Sequence, residues 1–134
     1  MRENKKYPLH HVGIIFSGME KAEEFVEITG AEEEYRGYVE AYQAWCIFLK
    51  ANGGSKIELI IPTGGVLADY NKGKGGIHHI AFSVPDVEAV RREYLSRGIT
   101  LLEKAAVPGA GNIKVNFMRP RDACGVLTEF VETI

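Results

Sequence analysis

The hydrophobic pattern changes period in the same way in each half of the chain. From His11 to Phe16 the residues are mostly β-branched or aromatic, which predicts a strand. At Ser17-Gly18-Met19-Glu20 the spacing becomes helical. Met19, Ala22 and Val26 share a face, Ser17 and Glu20 read as a capping box, and Gly30 supplies a stop. In the second half Ile77 to Val84 reads as a strand and Pro85-Asp86 opens a helix. Val87, Val90 and Tyr94 form its apolar stripe, and Gly98 ends it. Three short strand-like stretches follow each helix. They lie near 33–39, 43–50 and 55–61, then near 99–103, 113–118 and 125–132. Asn52-Gly53-Gly54 predicts a hairpin turn. Each half therefore reads βαβββ, giving an α+β chain of two modules, about 8–62 and 76–134. The glycine-rich linker at 63–75 has room for a short helical turn near Val66 to Tyr70. A second flexible loop is expected at Pro108 to Asn112.

Composition narrows the function. With 134 residues, 46% of them hydrophobic, the chain suits a single globular domain. Sixteen basic against eighteen acidic residues leave a net charge of -2, so there is no basic field for nucleic acid. The apolar runs are too short to span a membrane, and the charged start Met1 to Lys6 leads into no signal-type apolar segment, so a cytoplasmic location is expected. Cys46 and Cys124 lack metal-binding spacing and read as buried free thiols.

The four histidines come as two tandem pairs, His10-His11 and His78-His79, at an offset of 68 residues. That offset also aligns Glu20 with Glu88 and Gly30 with Gly98, and each half ends on a glutamate in an apolar strand, Glu58 and Glu129. Burying a carboxylate costs several kcal/mol unless it is paired or bound to a cation. If the two sheets face each other, His11, Glu58, His79 and Glu129 converge. Two imidazoles and two carboxylates suit a borderline divalent cation such as Zn, Co, Ni, Mn or Fe(II). Spacing alone leaves the choice within each histidine pair open, because neighbouring strand residues point to opposite faces.

Five segments carry a family resemblance: Leu9-His10-His11-Val12-Gly13-Ile14, Lys56-Ile57-Glu58-Leu59, Gly76-Ile77-His78-His79-Ile80-Ala81-Phe82, Pro108-Gly109-Ala110-Gly111, and Arg119-Pro120-Arg121-Asp122 with Gly125-Val126-Leu127-Thr128-Glu129. With these the chain resembles the vicinal oxygen chelate (glyoxalase/bleomycin resistance/dioxygenase) superfamily, and within it the methylmalonyl-CoA epimerase family. The resemblance implies a glyoxalase-like fold, a sheet-lined cup around one divalent metal ion, with Co, Ni, Zn, Mn and Mg all open. It makes His11, His79 and Glu129 ligands and Glu58 a further one. It also implies epimerisation of a small acyl thioester through a metal-stabilised enolate, with Glu40 and Glu129 as candidate bases. Arg119, Arg121 and Lys74 are candidates for holding the acyl or CoA anion, and a homodimer is expected. Gly111 stands where the family carries a histidine in this loop. A lactoylglutathione lyase of the glyoxalase type, an iron(II) ring-cleaving dioxygenase and a metal-free antibiotic- or ligand-binding protein are the rival readings.

Overall fold

The computed structural model describes residues 7–134, so the charged stretch at 1–6 and its bearing on a signal segment lie outside the described residues. The strands are β1 (Leu9–Ile15), β2 (Glu33–Val39), β3 (Ala44–Leu49), β4 (Lys56–Pro62), β5 (Gly76–Ser83), β6 (Val107–Pro108), β7 (Ile113–Met118) and β8 (Thr128–Thr133). The helices are α1 (Met19–Thr29), α2 (Gly65–Ala68) and α3 (Val87–Ser96). All eight strands join one curved sheet in the order β2-β3-β4-β1-β5-β8-β7-β6. The order reads the same from either edge, with the first half on one side of the β1–β5 seam and the second on the other. No helix among the described residues is long and apolar enough to cross a membrane.

Strand alternation divides the apolar residues between two faces. On the outer face Ile47, Leu49, Leu59 and Ile61 pack under α1 through Ala22. Val84, Met118 and Phe130 pack under α3 through Val87 and Val90. The inner face of the first half carries Cys46, Phe48 and Ile60. That of the second half carries Ala81, Val115, Phe117 and Val131. Covering both helical stripes leaves the inner face to line a cavity. Trp45 points outward, half-exposed against Tyr38.

Several sequence expectations need correction. Helix α1 starts one residue later than the capping box requires, because Gly18 is the cap and no side chain bonds to the helix end. In α3 Asp86 does cap, accepting from the backbone N–H groups of Glu88 and Ala89. The stretch 99–103 is not a strand. Leu102 N makes one backbone bond to Phe117 O, but at Glu103 the buried Asn116 amide accepts from the backbone N–H and donates to the carbonyl, so a side chain interrupts the ladder there. The matching edge strand shrinks to Val107–Pro108, ended by a proline that lacks a donor. Cys124 is exposed, in a left-handed turn before Gly125; only Cys46 is the buried thiol expected. The linker holds α2 and a 3₁₀ turn over Tyr70–Gly73, close to the short helical turn expected near Val66 to Tyr70.

Candidate metal centre

Four adjacent strands in the middle of the sheet each contribute one inward polar side chain: Glu58 from β4, His11 from β1, His79 from β5 and Glu129 from β8. All four are buried, and their ligand atoms lie within 4.8 Å of one another. His11 Nε2 stands 3.1 Å from His79 Nε2, 3.3 Å from Glu58 Oε1 and 2.9 Å from Glu129 Oε1. His79 Nε2 stands 3.5 Å from Glu58 Oε1 and 3.1 Å from Glu129 Oε1. Donors held about 2.0–2.2 Å from one cation must themselves lie about 3.0–3.5 Å apart. The five separations that involve a histidine fall close to that spacing.

Two further observations fit a cation. Glu129 Oε1 is buried and accepts no hydrogen bond, although two imidazole nitrogens lie beside it. Each inner histidine is also held from behind. His10 Nδ1 lies 2.7 Å from His11 Nδ1, and His78 Nδ1 lies 2.9 Å from His79 Nδ1. With the proton of each inner ring on Nδ1, donated to the outer histidine, Nε2 is left as a lone pair facing inward. The tandem pairs thus combine a donor with its orienting partner. Tyr70 packs edge-on against His78, and Phe48 and Phe117 pack edge-on against His11 and His79.

Charge is balanced within the cluster. Burial alone would push both inner histidines toward the neutral form, but Glu129 and Glu58 outweigh it. In the ion-free protein the pKa of His11 rises to about 9 and that of His79 to about 10. Burial would raise the Glu58 and Glu129 carboxyls, yet the two histidines hold both below the usual carboxylate range. The outer histidines go the other way, since burial first and the inner imidazole second lower them, His78 to about 4.

A small residue makes room for each ring. In the β1–β5 ladder His11 pairs with Ala81 and Gly13 with His79. A Cβ at Gly13 would lie 2.2 Å from His79 Cε1. Gly13→Ala should therefore push His79 out of the cluster. Overpacking of this kind costs about 1–3 kcal/mol. Metal titration followed by calorimetry should show affinity falling about tenfold or more, the range typical of a disturbed supporting shell. Unchanged affinity would mean that the ring is not fixed by this contact.

The cluster opens into a cavity of about 260 Å³, walled largely by apolar residues including Val39, Ile60, Leu67, Val115 and Phe117. Not every candidate from the sequence reaches it. Glu40 is exposed at the start of a 3₁₀ turn over Glu40–Tyr42 and does not line the cavity; the turn carries Tyr42 in instead. Arg119 donates to the Thr100 carbonyl, and Arg121 extends into solvent beside Asp122. Lys74 borders a separate groove with Ile14, Phe16 and Lys21. None of these three basic residues lines the cavity. Gly111, at φ 86°, lies where a Cβ would meet the Tyr35 ring at 2.8 Å, so the loop cannot take a larger residue without displacing that ring.

Comparison with known proteins adds the following. A sequence model of the glyoxalase/bleomycin resistance protein/dioxygenase superfamily matches residues 10–117. The human mitochondrial methylmalonyl-CoA epimerase is 31% identical over 126 residues, covering 90% of this chain and 71% of the human protein. The crystal structure of methylmalonyl-CoA epimerase from Mycobacterium tuberculosis superimposes with a TM-score of 0.89 at 29% identity, covering 100% of this chain and 93% of that one. A Streptomyces coelicolor methylmalonyl-CoA epimerase in complex with 2-nitronate-propionyl-CoA gives 0.85 at 29% identity, covering 96% and 99%.

Proposed function

The chain belongs to the glyoxalase/bleomycin resistance protein/dioxygenase superfamily, and from that footing we propose that it is a divalent-cation-dependent epimerase of acyl-CoA thioesters, with methylmalonyl-CoA the first substrate to test. The observation that carries the proposal is the set of four buried donors spaced as ligands of one ion at the floor of an apolar cavity. When bound, the cation supplies Lewis-acid polarisation of a substrate oxygen, which favours loss of the neighbouring α-proton.

The chain's own residues do the rest. His11, Glu58, His79 and Glu129 hold the ion, two from each half. His10 and His78 fix the tautomers. The apolar walls exclude water, which strengthens every charge interaction inside. Glu129, at the cavity floor, takes a proton at its carboxylate oxygen; Glu40, the other proposed base, would have to swing in from solvent. Arg119, Arg121 and Lys74 serve the outer, phosphate-bearing part of the carrier, outside the cavity. The proposal takes the chain as one domain of two modules acting as a cytoplasmic homodimer, the dimer being testable by light scattering.

Single epimers of methylmalonyl-CoA, incubated in D2O with the cobalt-loaded protein, should lose stereochemical purity and gain deuterium at the α-carbon. Chelation should stop both. The two-histidine, two-glutamate donor set also favours a second reading, a lactoylglutathione lyase. Turnover of the methylglyoxal–glutathione hemithioacetal, without acyl-CoA exchange, would move the assignment there. No turnover of either would leave a small-molecule-binding protein of the same fold.

A further inference from the structure

Among the described residues only two buried side-chain polar atoms lack a hydrogen-bond partner, and both are at this cavity. One is Glu129 Oε1, explained by a cation. The other is Tyr42 Oη, which no ligand set explains. The Tyr42 ring packs against both inner-face clusters and stands edge-on to Phe117 at 5.6 Å, while Phe117 stands edge-on to His79 at 5.4 Å. A single aromatic ring therefore separates the phenol from the cluster.

The cavity's other polar groups outside the cluster differ. His78 is engaged with His79, and Cys46 lies against Glu58. Gln43 is exposed. Tyr42 is left as the unengaged buried donor. Burial, then Glu103 and Glu129, oppose loss of its proton, so it stays an O–H. An unpaired buried hydroxyl is a standing cost to the fold, removed when an acceptor arrives. With carboxylates already concentrated at the floor, the acceptor that suits this donor is an oxygen of a bound ligand.

We propose that Tyr42 is a substrate-contacting catalytic residue whose hydroxyl donates a hydrogen bond to an oxygen of the acyl group as that oxygen gains negative charge. This rests on the epimerase reading and adds a second stabilising contact to it. It also makes the cavity selective for acyl groups with an oxygen on the Tyr42 side.

The test is Tyr42→Phe, which keeps the ring and its contact with Phe117. The probe is 2-nitronate-propionyl-CoA, whose nitronate mimics an enolate, titrated into cobalt-loaded protein by calorimetry. Metal content should stay at the wild-type value and Tm should hold or rise, because an unpaired hydroxyl has been removed. Affinity for the probe should fall about ten- to a hundredfold, the cost of losing a hydrogen bond to a charged acceptor. The fall in turnover should appear mainly in kcat, since the bond strengthens as charge develops. Unchanged affinity with an active wild type would overturn the role of Tyr42 alone. A lower Tm would overturn it too, by showing that the hydroxyl already has a partner in the fold. A wild-type protein that neither binds the probe nor turns over any acyl-CoA would overturn the epimerase reading, and the role of Tyr42 with it.

Discussion

His11→Ala should reduce bound divalent ion from one per chain to a trace, and with it any epimerase activity. His11 is fully buried and lies near both carboxylates and His79 at ligand spacing, so neither water nor a neighbouring side chain replaces its Nε2 without rearrangement. The loss should exceed the roughly ten- to hundredfold effect typical of outer-shell partners, and His10→Ala supplies that milder comparison. Elemental analysis after dialysis, with turnover on the same samples, measures both. The ion-free variant should also melt lower. Removing one imidazole leaves Glu58 and Glu129 sharing a single histidine, and stripping a partner from a buried charge costs about 3–5 kcal/mol. Wild-type metal content in His11→Ala would remove the cluster as the ion's site.

The second large effect is on pH. Raised histidine pKa values mean that ion-free folding gains stability which is complete below about 6.5 and lost as pH climbs through about 9 for His11 and about 10 for His79. The carboxylates are shifted down, so their contribution is present above about 4.5 and lost as pH falls below it. The ion-free protein should thus be most stable between about pH 4.5 and 6.5 and soften toward pH 10. Ion binding should show the opposite trend. Two protons must leave His11 and His79 to admit a cation, so apparent affinity should climb by up to about a hundredfold per pH unit below pH 9. Calorimetric melts with chelator and with cobalt, across pH 5 to 10, should therefore diverge as pH rises. Parallel curves would contradict the linkage.

The seam of the molecule could be read from sequence because duplication leaves matched residues. The repeat and the carboxylates set in apolar strands pointed to Glu58, Glu129 and the two histidine pairs before any geometry, and the family resemblance singled out His11 and His79. What the repeat could not show is which histidine of each pair joins the carboxylates, since that depends on strand facing; the ladders bring His11 and His79 together with Glu58 and Glu129. The loops were less legible. Near Glu40 the chain enters a 3₁₀ turn ended by Gln43 at φ 50°, and that local geometry exchanges Glu40 for Tyr42 two positions on. Apolar content made 99–103 look like a strand, but pairing there is decided by a distant residue, Asn116. The long basic side chains carry no periodic signal, and their exposure left them free to point away from the cavity.

The mirror order of the strands has a mechanical consequence. A sheet ordinarily frays from its edges, and this one offers a two-residue edge strand at β6. An ion held by His11, Glu58, His79 and Glu129 would fasten β4, β1, β5 and β8 side by side, so that β1 could not part from β5 without breaking coordination. The ion would then act as a rivet at the point where the two copies of the module meet, joining segments more than a hundred residues apart along the chain, from His11 to Glu129.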